Sequence, residues 1–146
     1  MKASEQPRVS GTPTHPWDSW TTVLGIFAIG NLANGVWMLA DPVHWYENLP
    51  AGVPDFGPLN EHFVRDLGCT FVLFGLVLGL AAFVPRWRVA ACSAVALFYV
   101  LHAIVHVADT LRGLVGPEHW AIDLPGVYAP AVILVAVTWL VARRAG

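Results

Sequence analysis

Four apolar runs, almost free of charge, limit what this chain can fold into more than any other feature. They cover Trp20 to Ala40, Phe63 to Val84, Val89 to Val107 and Leu124 to Ala142, and only Arg65 and Asp66 interrupt them. About 20 residues of helix cross the hydrocarbon core of a bilayer, and in lipid the backbone must satisfy its own hydrogen bonds. The runs therefore read as transmembrane helices. Proline and glycine mark the gaps: Asp41-Pro42, Pro50 through Pro58, Pro85, Gly113 through Pro117, and Pro125. Charged residues make up 12% of the 146 and hydrophobic ones 56%, whereas a soluble domain carries about 25% charged residues. That balance excludes a soluble globular domain and a disordered chain. The formal net charge of −2 speaks against a nucleic-acid partner. Two cysteines rule out a disulfide scaffold or a C-x-x-C zinc module. The expected fold is all-α, an integral membrane four-helix bundle formed by residues 20–146 behind a mobile cytoplasmic tail, residues 1–19.

Basic residues set the expected orientation. Lys2, Arg8, Arg86, Arg88, Arg143 and Arg144 fall on one side with only Glu5 and Asp18, a balance of +4. Arg65 and Arg112 fall on the other with eight acids, Asp41, Glu47, Asp55, Glu61, Asp66, Asp109, Glu118 and Asp123, a balance of −6. Both termini are therefore expected in the cytoplasm, in a multi-pass protein of the inner cell membrane. The tryptophans agree: Trp17, Trp20, Trp87 and Trp139 mark one belt, Trp37, Trp45 and Trp120 the other.

Once this topology is drawn, the uncommon polar groups gather in the outer third of the bundle. The second helix supplies Asn60, Glu61, His62, Arg65 and Asp66, and the third supplies Tyr99, His102, His106 and Asp109. Steps of three and four place Tyr99, His102, His106 and Asp109 on one stripe, and His62, Asp66 and Cys69 on another. Ionisable residues inside a membrane normally face the bundle interior, because lipid penalises them by several kcal/mol. His62, Asp66, His102 and His106 are thus expected around one cavity. Plainer roles are expected for their neighbours. Asn60 is an N-cap, Glu61 and Arg65 an i,i+4 pair, Asn31 and Asn34 interhelical hydrogen-bonding groups. Gly75 and Gly79 mark a close helix contact, His44 and His119 interfacial histidines, and Cys69 and Cys92 packing residues.

Two imidazoles one turn apart can share a metal, so His62, Asp66, His102, His106 and Asp109 are the candidate donors for zinc, iron or copper. Alternatively, His62 opposite His102 or His106 would ligate a non-covalent haem b, and such a centre would be redox-active. In a cofactor-free enzyme, His62, Asp66, His102 and Asp109 would instead do acid–base chemistry on a lipophilic small molecule. A third alternative is an accessory subunit of a larger membrane complex, or a homo-oligomer, whose polar cluster only holds helices together.

The segments N-E-H-F-V-R-D-L-G (Asn60 to Gly68) and L-H-A-I-V-H-V-A-D (Leu101 to Asp109) resemble motifs of small uncharacterised bacterial four-helix membrane proteins. A-D-P-V-H-W-Y from Ala40 and D-L-P-G from Asp123 fit the same pattern, and the outline is similar to the DoxX-like group. The resemblance implies the topology and no particular activity.

Overall fold

A computed structural model describes residues 17–145; most of the segment expected as a cytoplasmic tail lies outside the described residues. The elements are α1 (Ser19–Ala40), α2 (Pro42–Asn48), α3 (Glu61–Phe83), α4 (Arg88–Leu111), α5 (His119–Ile122) and α6 (Ala129–Ala145). Short 3-10 turns occupy Val53–Phe56 and Pro85–Trp87, a π-helical turn fills Leu124–Tyr128, and no strand occurs among the described residues. Four of the segments are long and apolar enough to cross a membrane: Ser19–Ala40, Glu61–Phe83, Pro85–Leu111 and Leu124–Arg144. The four expected spans are present, with one consequential difference in length. The third helix runs on to Leu111, so His106 and Asp109 both stand on regular helix.

Local sequence explains the helix ends. Asp18 caps α1 through the Thr21 amide at 2.9 Å. Asn60 caps α3 through the Phe63 amide at 3.1 Å, as its place after Pro58 suggested. Asp41 ends α1 and caps α2 through the His44 amide, with Pro42 at the first helical position. Pro125 has no amide hydrogen, so the ladder widens there. Val127 and Tyr128 both donate to the Asp123 carbonyl, at 2.8 and 3.2 Å.

The helices pair as two antiparallel hairpins, α1 with α3 and α4 with α6, joined where α3 meets α4. Small residues set the first seam. A Cβ on Gly35 would stand 2.7 Å from the Gly68 carbonyl oxygen and the Val72 nitrogen, and one on Gly75 would run into Leu32. Gly79 has ordinary clearance, so the tight contact is built from Gly35, Gly68 and Gly75 rather than Gly75 and Gly79. Gly35→Ala forces two backbones apart and should cost about 1–3 kcal/mol. Gly30 faces open space, so Gly30→Ala should leave stability level or raise it. Thermal unfolding of the two variants in detergent separates these outcomes.

Large apolar side chains lie on both sides of the helices. Leu24, Leu78 and Leu134 share the interior with Ala28, Ala81, Ala82, Ala91, Cys92 and Ala96, while Ile26, Ile29, Leu73, Leu76, Leu101 and Val132 face outward. Such a surface has no favourable contact with water and suits hydrocarbon. Asn31 takes its expected interhelical role, accepting from the Tyr99 hydroxyl at 3.1 Å. Asn34 accepts from the Trp45 indole at 2.9 Å, which ties α2 back onto α1.

Each end of the bundle is tied differently. At the end holding the α3–α4 turn, Arg88 is buried rather than part of an exposed connection. Its guanidinium reaches Asp18, Thr21 and the carbonyls of Ala81 and Ala82. That hydrogen bonding holds the Asp18 carboxyl at about 2, well below its ordinary 3.8. The opposite end, here the loop end, carries α2, the Val53–Phe56 turn and α5.

Candidate functional site

Three separate segments deliver ionisable side chains to one place at the loop end. Helix α4 brings His102 and His106, whose rings meet edge to face with centroids 4.5 Å apart. Helix α5 and its C-cap bring His119 and Asp123, one turn apart. The Val53–Phe56 turn brings Asp55 and Phe56. Asp123 Oδ2 lies 2.8 Å from Nδ1 of His106, and its Oδ1 lies 3.3 Å from Nδ1 of His119. His119 Nε2 in turn lies 3.2 Å from Asp55 Oδ2. The result is an unbroken line from Asp55 through His119 and Asp123 to His106.

Burial is deepest in the middle of this line. The side chains of His119 and Asp123 are both 0% exposed, that of His106 is 13% exposed, and that of Asp55 is 57% exposed. An imidazole that donates from both nitrogens must be an imidazolium. Burial pushes the His119 pKa down, but hydrogen bonds to Asp55 and Asp123, and the charges behind them, outweigh it and hold the pKa above 6.5. Asp123 then acts as a carboxylate shared between two rings, one acceptor oxygen for each. A buried carboxylate is tolerable only when so paired.

His106 is the chemically available member. Its Nδ1 is committed to Asp123, while among the described residues its Nε2 has no hydrogen-bond partner. Phe56 lies edge-on to the rings of both His106 and His119, with centroids 4.8 and 4.9 Å away, and so covers them. The Tyr128 hydroxyl, on the π-helical turn, is buried and has no partner in hydrogen-bonding geometry among the described residues; Thr110 beside it donates to the His106 carbonyl. Glycine at position 52 is required twice over. Its φ is +59°, and a Cβ there would stand 2.9 Å from Asp55 Oδ2 and 3.0 Å from His119 Cε1.

The structure brings together only part of the expected constellation. His102 and His106 share the inner stripe of α4 with Tyr99, which is buried. Asp109 is half-buried and stands outside the network. His62 and Asp66 do not join these histidines. Their side chains are 89% and 64% exposed, and they pair with each other at 3.4 Å on the outward face of α3. Their stripe diverges because the seam with α1 uses the face bearing Gly68 and Gly75, which turns the first two turns of α3 outward. Cys69 on the same stripe is exposed rather than a packing residue, whereas Cys92 is buried as expected. Among the described residues, no three His, Cys, Asp or Glu side chains are placed to hold a metal ion.

His119 is the largest revision: it is wholly buried rather than interfacial. It and Asp123 were legible as an i,i+4 pair just before a helix-distorting proline. The sequence places Asp123 at the level of the other polar groups, but His119, between apolar runs, reads as interfacial. His44 is exposed as expected, accepting from the Trp37 indole at 3.0 Å. No protein-family model, curated protein or solved structure matches this chain.

Proposed function

We propose that the chain is a multi-pass protein of the inner cell membrane, its loop end outward, that performs acid–base chemistry on a lipophilic small molecule at His106. One observation carries the chemistry. The fully buried Asp123 holds Nδ1 of His106 at 2.8 Å, and Nε2 is left without a protein partner. A carboxylate in that place fixes the imidazole with its proton on Nδ1 and stabilises the imidazolium formed when Nε2 takes a proton. His106 is therefore the general base, and the acid once loaded; Asp123 orients it, and His119 orients Asp123. The membrane setting rests on the apolar exterior and on the asymmetry of charge, with Arg86, Arg88, Arg143 and Arg144 at the end opposite the site. An apolar substrate is favoured because the Phe56 ring lies 4.8 Å from that of His106.

Nitrogen NMR of histidine-labelled protein in bilayers tests the assignment. The neutral His106 ring should carry its proton on Nδ1, with a bare Nε2. Asp123→Asn presents an amide donor to Nδ1, moves the proton to Nε2, and should lower turnover by up to about 10⁴-fold. The substrate itself should emerge from lipophilic membrane extracts incubated with reconstituted protein, as a compound converted by wild type and untouched by His106→Gln. A protonated Nε2 in the resting protein, or equal conversion by both proteins, refutes the assignment.

A further inference from the structure

The segment from Gly52 to Gly57 covers His106 but is held down by few contacts. Its 3-10 turn places Phe56 across the rings of His106 and His119, 4.8 and 4.9 Å away. Both flanking residues are glycines with positive φ, +59° at Gly52 and +127° at Gly57, conformations that other residues rarely adopt. Between them no side chain is fully buried: Val53 is half-buried and packs against the Met38, Trp45 and Val64 cluster, while Asp55 and Phe56 are exposed. Two side-chain hydrogen bonds fasten the segment. Asp55 Oδ2 meets Nε2 of the buried His119 at 3.2 Å, and the Tyr46 hydroxyl donates to the Gly57 carbonyl at 2.7 Å.

We infer that residues 52–57 form a hinged lid over His106, latched by Asp55 on His119, which lifts to admit the substrate and closes with Phe56 above it. This rests on the reading of His106 as the reacting base and adds how the site is reached. The geometry separates the latch from the rest of the network. His119 faces Asp55 from the lid, Asp123 from its own turn, and His106 beyond Asp123, while the adjoining Glu118 lies over Gly116. Of these groups, only Asp55 belongs to the lid. Breaking its bond frees the turn and leaves the buried pairing of Asp123 with both histidines in place. The Asp55 carboxylate is also the exposed end of the line, so water can take over its hydrogen bonds when the lid rises. Phe56 moves with it because the two are adjacent, and the hinge glycines accept the change in φ and ψ at little steric cost.

Chemical access to His106 in the full chain, reconstituted in bilayers, tests the lid without any substrate. Diethyl pyrocarbonate acylates neutral imidazoles, and mass spectrometry reports each histidine separately. His62, whose side chain is 89% exposed, serves as the internal standard. In wild type, His106 should be modified far more slowly than His62. Asp55→Ala should raise the His106 rate about tenfold or more, the shift expected for losing one charge-assisted hydrogen bond. Asp55→Glu should restore protection, and Tyr46→Phe should give a smaller increase of the same sign. Amide hydrogen exchange at 52–57 should rise in parallel, while exchange in α3 and α4 stays unchanged. Equal His106 protection in wild type, Asp55→Ala and Tyr46→Phe, with unchanged exchange at 52–57, overturns the lid. That result would leave the NMR and turnover tests of His106 untouched, so the two readings fail independently.

Discussion

Asp123→Ala is expected to lower stability by about 3–5 kcal/mol, the range found when one partner of a buried charge pair is removed. The carboxylate is fully buried and bonds to both His106 and His119. Its loss leaves the buried His119 with Asp55 as its one partner and Nδ1 of His106 unsatisfied. Asp123→Asn keeps the shape and some hydrogen bonding, so it should cost less while still abolishing chemistry. Thermal unfolding in detergent, followed by tryptophan fluorescence, ranks the two. The pH dependence gives an independent check. The folded-state pKa of His119 lies above its unfolded value of about 6.5, because hydrogen bonds and charge from Asp55 and Asp123 overcome burial. A raised pKa contributes stability that is fully present below the unfolded value and is lost as pH rises through the folded one. Wild type should therefore melt at falling temperatures as pH climbs above about 6.5. In Asp123→Ala that decline should flatten. A decline of equal slope in both proteins would show that the pairing of His119 with Asp123 is not its source.

Hydropathy made the fold legible, because lipid imposes a length and a continuity that few other environments demand. The sequence located four helices, the N-cap at Asn60 and the break at Asp41-Pro42 to within a few residues. The depth of the polar groups was legible too, and His102 and His106 do stand at the loop end of α4. Helical direction was the weaker inference. Spacing puts His62, Asp66 and Cys69 on one stripe, but it does not say which stripe faces inward. In α3 the glycines decided that, since Gly68 and Gly75 admit the α1 backbone and their face wins the interior. A rule that charged residues turn inward failed because the first two turns of α3 lie at the loop end of the bundle, where Glu61 pairs with Arg65 and His62 with Asp66 on the exposed face. His119 was missed for a different reason. Outside an apolar run a histidine reads as solvated, and only the chain path of Val53–Phe56 and α5 brings two carboxylates to it.

Arg88→Met should be the most damaging substitution at the opposite end of the bundle. Arg88 begins α4, yet its guanidinium spans three segments. Nε donates to the Ala81 carbonyl at 3.2 Å, Nη2 to the Ala82 carbonyl at 3.0 Å, and Nη1 to Asp18 at 2.6 Å. The carbonyls of Ala81 and Ala82 belong to the last turn of α3, where no intrahelical donor is available. Methionine matches the aliphatic stem but orphans the Ala81 carbonyl and leaves that of Ala82 with only the Thr21 hydroxyl, at about 1–3 kcal/mol for a buried group left unsatisfied, with the Asp18 ion pair lost besides. A loss of about 3 kcal/mol is therefore expected in detergent unfolding. Arg88→Lys should recover only part of it, because one ammonium cannot reach two carbonyls and a carboxylate in the same plane. Acid separates the ion pair from the helix cap. The depressed Asp18 pKa contributes stability above its unfolded value near 3.8, and that contribution is lost as pH falls towards about 2. Wild type should thus weaken between those limits, whereas Arg88→Met, with no ion pair left to lose, should show a smaller acid-dependent fall. If the two proteins lose stability in parallel through this range, Asp18 is not the group that couples the start of α1 to the α3–α4 turn.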